Sequence, residues 1–81
     1  MPRYYFDVSD GDQALALDIE GAELPDESTA RAEAIRDLYE LAREMLPEAG
    51  RRDFFINVRD EAGIVVLREA LSVTVERRTL A

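Results

Sequence analysis

The 81-residue chain has no cysteine, no histidine and no lysine. Without cysteine there are no disulfides, thiolate metal sites or thiol nucleophiles. Without histidine, the usual proton acceptor near neutral pH and the commonest metal ligand are gone. No apolar run approaches the roughly 20 residues that a membrane-spanning helix needs. The opening Met1-Pro2-Arg3-Tyr4-Tyr5-Phe6-Asp7 has neither the apolar core nor the small-residue cleavage site of a secretory leader. A cytoplasmic chain with no membrane partner is expected. A Gly-rich phosphate loop and a nucleophile-elbow serine are also missing.

What is present has the makings of a globule. Hydrophobic residues make up 47% and charged residues 35%, far from the signature of a disordered chain. The length suits one small domain over residues 1–81 and leaves no room for a second core. All ten basic residues are arginine, against eighteen acids, for a net charge of −8. The imbalance is local. Residues 1–30 hold eight acids against Arg3 alone, whereas residues 31–81 hold ten acids against nine arginines. The sign disfavours direct nucleic-acid binding, which rests on cations neutralising phosphates. An acidic first third can instead steer a basic protein partner.

Periodicity gives the elements. In Arg3 to Val8, Tyr4, Phe6 and Val8 alternate with Arg3, Tyr5 and Asp7, the two-residue period of a half-buried strand. Ser9-Asp10-Gly11-Asp12 is turn chemistry. A weaker strand follows over Gln13 to Ile19, with Leu15, Leu17 and Ile19 on one side, and Gly21 breaks it. Asp26 or Ser28 can cap a helix running from Glu27 to Leu46. Its stripe of Ala30, Ala34, Ile35, Leu38, Leu41, Ala42 and Met45 faces a core, and Pro47 and Gly50 end it. The last thirty residues form a hairpin. Phe54 to Arg59 and Ile64 to Arg77 alternate on either side of Asp60-Glu61-Ala62-Gly63. Glu69 interrupts an otherwise apolar row there, which suggests a bulge, a bend or a strand end leaving the core. The order is β-β-α-β-β, an α+β two-layer sandwich of one amphipathic helix on a four-stranded antiparallel sheet.

One helix covers one face of such a sheet. The other face carries Arg3, Tyr5, Ala14, Ala16, Phe55, Asn57, Arg59, Ile64 and Val66, more exposed apolar surface than a small monomer usually tolerates. If the helix covers the Phe55 side instead of the Phe54 side, the two lists exchange roles. A second copy seated on the open face, or along an edge strand, is the simplest remedy. Its anchors would be Tyr5, Phe55 and Val66, with Arg3 and Arg59 at the rim.

Catalysis has little to work with. Asp7, Asp10, Asp12, Asp18 and Glu20 are candidates for a hard cation, but their spacing does not match a calcium loop, and a hydrated turn accounts for them. No metal, cofactor or enzymatic activity is expected. Tyr5 and Phe55 beside arginines resemble a base-stacking platform, but the RNA-recognition signature is absent and core or seam packing explains them better.

Several segments together suggest a family. Pro2-Arg3-Tyr4-Tyr5-Phe6-Asp7, Asp10-Gly11, Glu23-Leu24-Pro25-Asp26, Val58-Arg59-Asp60-Glu61-x-Gly63 and Leu71-x-Val73-x-Val75-Glu76 resemble a set of short alphaproteobacterial proteins that form a domain of unknown function. The resemblance implies origin and size, and transfers no catalytic or binding residue. A looser likeness, in architecture only, is to HicB-type antitoxins, which are typically acidic and neutralise a small basic toxin. This chain lacks their glycine- and threonine-rich segment ahead of the helix. The expected function is a non-enzymatic, self-associating interaction module. The alternatives are an acidic regulator masking a basic protein through Asp10, Asp12, Glu20 and Glu23, and a carboxylate metal-binding protein.

Overall fold

The computed structural model describes residues 1–11 and 13–78. Its elements are β1 (Arg3–Asp10), β2 (Gln13–Ala16), β3 (Ala22–Glu23), α1 (Glu27–Glu44), β4 (Gly50–Arg59) and β5 (Val65–Val75). All strand pairings are antiparallel, in the spatial order β2-β1-β4-β5, with the short β3 on the same outer edge of β1 as β2. The α+β sandwich expected from periodicity is therefore present, with five strands rather than four among the described residues.

Asp26 sets the start of α1. Its carboxylate accepts hydrogen bonds from the Thr29 amide and hydroxyl, both at 2.9 Å, and so satisfies an otherwise orphaned helix donor. Ala30, Ala34, Leu38 and Ala42 recur every four residues and are the buried stripe. Three of the four are alanines, so the helix backbone can lie close against the sheet. Beneath it Phe54, Ile56 and Val58 are fully buried, each contributing about 2–3 kcal/mol of apolar burial. The helix thus covers the Phe54 side, and Phe55 lies on the open side. At the hairpin Gly63 takes φ +81°, and the Asp60 carboxylate accepts from the amides of Ala62 and Ile64. A left-handed glycine is what that turn requires.

The structure corrects several boundaries. The second strand ends at Ala16, not Ile19, and Leu17 and Ile19 are 71% and 87% exposed. A register shift at Val8/Ser9 breaks the alternation, and the chain then leaves the sheet. The helix ends at Glu44 with Met45 as its cap, short of Leu46. β4 starts four residues before Phe54, and β5 runs from Val65 to Val75 rather than Ile64 to Arg77. Glu69 causes neither bulge nor bend; it stays in register opposite Ile56. The irregularity lies at Val58/Arg59, opposite Val66.

Candidate functional site

Three surfaces are candidates: the outer edge of β1, the open sheet face, and the free edge of β5. On the first, β2 pairs with the far end of β1 and β3 with the near end, leaving a gap at Phe6. The chain between them fills the gap with a side chain. Asp18 accepts from the Phe6 amide at 3.1 Å through one oxygen, and from the Glu20 and Gly21 amides at 3.1 and 3.0 Å through the other. A carboxylate thus stands in for a missing strand. Its own amide donates to Asp7 at 3.0 Å, and Arg59 grips Asp7 through two nitrogens at 2.6 and 3.2 Å. Arg59 also donates to the Asp18 carbonyl at 2.9 Å.

The electrostatics follow from these bonds. Burial pulls the Asp18 carboxyl upward, but the Gly21, Phe6 and Glu20 amides and nearby Arg59 outweigh it and hold it below the usual carboxylate range. Burial pulls Asp7 upward too, and Arg59 with the Asp18 amide reverses that. Both acids are thereby committed to structure. Among the described residues no group of three Asp or Glu gathers that could hold a metal ion.

The open face is less open than its parity suggests. Arg59 stacks over Tyr5 at 5.0 Å from the ring centre, and Arg68 over Phe55 at 4.5 Å. Each of these two aromatic rings carries one of the chain's own guanidinium groups, and both side chains remain partly exposed. Arg3 donates to the Glu20 carbonyl at 2.8 Å and pairs with Glu23 at 3.3 Å. Val66 is not on this face with Tyr5 and Phe55; the irregularity beside it sets it against the core cluster. Ile64 belongs to the hairpin turn rather than a strand. Of the acids assigned to a basic partner, Asp10 is paired to Arg52 at 2.6 Å and Glu23 to Arg3, while Glu20 is exposed. Asp12 lies outside the described residues.

β5 differs from both. It ends the sheet, and among the described residues nothing pairs with its outer edge. A groove of about 310 Å³ runs beside it, lined by Arg31, Ile35, Leu38, Tyr39, Glu69 and Leu71, with Ala70 at its rim. Ile35 and Tyr39 are exposed on the helix side of that groove. Glu69 faces α1, and among the described residues its ion-pair partner is Arg31 at 3.7 Å, an arginine whose side chain is mostly exposed. The second oxygen of Glu69 is buried, with no hydrogen bond among the described residues. Burial raises the Glu69 carboxyl above its ordinary value, and Arg31 offsets only part of that. Sequence reasoning named Glu69 as an interruption and missed its place in an edge groove. An acid in the helix-facing row of a terminal strand is the signal.

Compared with known families, residues 3–72 match the one described as domain of unknown function DUF6894. The chain belongs to that family. No curated protein and no solved structure matches it. The DUF6894 match covers the Asp18 cluster entire and β5 as far as Ser72. The architectural likeness to HicB-type antitoxins is not part of what these comparisons show.

Proposed function

We propose that this DUF6894 protein is a non-enzymatic interaction module that associates with itself through the free edge of β5. The observation that carries the reading is that edge: eleven residues of strand with one side unpaired, beside a half-apolar groove. Unpaired strand edges are templates for strand addition. Two further features support it. The chain exposes 5832 Å², whereas a compact monomer of its mass exposes about 4900 Å². The radius of gyration is 14.8 Å, against about 12 Å for a compact chain of this length. The excess surface is comparable to the roughly 800 Å² each partner contributes to a standard interface.

The open face is the weaker seam, because Arg59 and Arg68 already cover Tyr5 and Phe55. Sedimentation equilibrium from micromolar to near-millimolar protein tests the reading, at low and high salt. A dimer that persists in high salt is expected, since an edge with an apolar flank is weakly screened. A chain that stays monomeric throughout overturns it. A salt-labile complex with a basic protein, formed by that monomer, would favour the masking alternative.

A further inference from the structure

The edge of β5 is complementary to itself in one register. Pairing with a second copy about a two-fold axis is antiparallel, and opposed residues must share a face. Leu67, Glu69, Leu71, Val73 and Val75 alternate toward α1, because Ile56 opposes Glu69 and Phe54 opposes Leu71. Arg68, Ala70, Ser72 and Thr74 alternate on the other face, where Arg68 meets Phe55. The axis must therefore pass through a residue, and charge separates the choices. An axis at Glu69 sets two carboxylates face to face. At Val73 it sets Glu69 against Arg77 but also Arg68 against Arg78, so the attraction and the repulsion offset each other. At Ala70 or Leu71 every charged residue of the strand faces a neutral one. At Ser72 Arg68 faces Glu76, the residue just past the end of β5, so that pairing would carry the strand beyond Val75.

We infer that the protein forms a two-fold dimer in which β5 pairs antiparallel with β5 of a second copy about Ser72, setting Arg68 opposite Glu76 of that copy. The inference rests on the self-association reading above and specifies its partner and register. In this arrangement Val75 of the second copy stands opposite Glu69, and Arg77 of the second copy is its diagonal neighbour. Diagonal cross-strand neighbours lie about 7–8 Å apart, within reach of a long side chain. The under-partnered carboxylate would gain a guanidinium, and the groove at Ile35 and Tyr39 would receive Val73 and Val75 of the second copy. Both helices fall on one side of a continuous sheet. The bonds given up are slight. Glu76 pairs with Arg78 at 3.2 Å and Arg77 with Glu48 at 3.9 Å, all between side chains at least 70% exposed.

The chain has no cysteine, so single thiols test the axis. Ala70→Cys, Ser72→Cys and Thr74→Cys each alter one exposed residue of the face away from the helix. At the axis two Ser72→Cys thiols sit on directly opposed residues, within disulfide range. The Ala70→Cys and Thr74→Cys pairs are offset by four residues, about 13 Å along the strand. Mild oxidation should convert Ser72→Cys to a disulfide dimer and leave the other two monomeric on a non-reducing gel. Arg68→Glu or Glu76→Arg alone should weaken the dimer roughly tenfold, and the two together should restore it. Crosslinking strongest at position 70 or 74, or at none while sedimentation shows a dimer, overturns the register and leaves self-association standing. Failure of the double reversal to restore the dimer does the same. A wild-type monomer at every concentration overturns both readings.

Discussion

Two carboxylates sit at opposite edges of the same sheet in reversed circumstances. Asp18, on the outer edge of β1, accepts three backbone amides and lies beside Arg59, and is held below the usual carboxylate range. Glu69, on β5, has among the described residues one distant arginine and one buried oxygen with no partner, and is raised. The first edge is closed by a side chain doing what a neighbouring strand would do. The second is left open, and its acid is under-satisfied while the chain is alone. At the first gap the unpaired amide, that of Phe6, is answered within the chain. An edge with a buried oxygen unanswered is where a partner's donor has most to add.

The comparison breaks most sharply at Asp18. Asp18→Ala removes three charge-assisted amide bonds, leaves the Phe6 amide without its acceptor, and should destabilise the fold by about 3 kcal/mol. For a domain of this size that lowers the melting temperature by roughly 10–20 °C, readable by circular dichroism. A loss under a few degrees would mean that the gap in β1's edge does not need the carboxylate. Gly21→Ala comes next. Gly21 holds φ +68°, and an added Cβ would stand 2.8 Å from the Tyr4 carbonyl and 2.9 Å from the Tyr5 ring. A cost of about 2 kcal/mol is expected in urea unfolding, from backbone strain and contact together.

The two edges should also separate by pH. Asp7 and Asp18 have folded values below their unfolded ones, near 3.9. Their stabilisation is full above that value and is lost as pH falls through the folded values. Urea midpoints should therefore drop steeply on the acid side in the wild type. Asp18→Asn should flatten that drop, because one of the two titrating groups is gone. An acid limb unchanged by Asp18→Asn would place the linkage elsewhere.

Much of this was legible beforehand, and the exceptions share a cause. The helix, the hairpin and the Asp60–Gly63 turn follow from periodicity and turn chemistry because they are local. The strand through Leu15, Leu17 and Ile19 followed the same rule and is wrong beyond Ala16. There alternation loses to the three amides that Asp18 satisfies, one of them at Phe6, twelve residues away. The spacing Asp18-x-x-Gly21 is the local trace of that loop. Tyr5 and Phe55 are read correctly as lying on one face opposite Phe54, but their covering by Arg59 and Arg68 depends on cross-strand neighbours. Strand order decides those, and one sequence does not contain it. Val66 fails for a similar reason: a register shift of one residue reassigns its face.

The smallest effect is the most discriminating, and it lies at Glu69. In dilute protein, where the chain is alone, Glu69→Gln removes a buried charge with an unpartnered oxygen and should stabilise by about 1 kcal/mol at pH 7. Glu69 has a folded value above its unfolded one near 4.3, so its contribution is most favourable below that value and is lost as pH rises through the folded one. The gain from Glu69→Gln should shrink toward zero as pH falls to about 4, opposite to the trend at Asp18. Concentration then supplies the second axis. If Arg77 of a second copy answers the carboxylate, Glu69→Gln weakens association even as it stabilises the isolated chain. The same substitution should raise the unfolding midpoint in dilute solution and lower the dimer fraction in concentrated solution. A variant that moved both in the same direction would show that Glu69 plays one part in the monomer and in the assembly, and that the open edge does not exploit its unsatisfied acid.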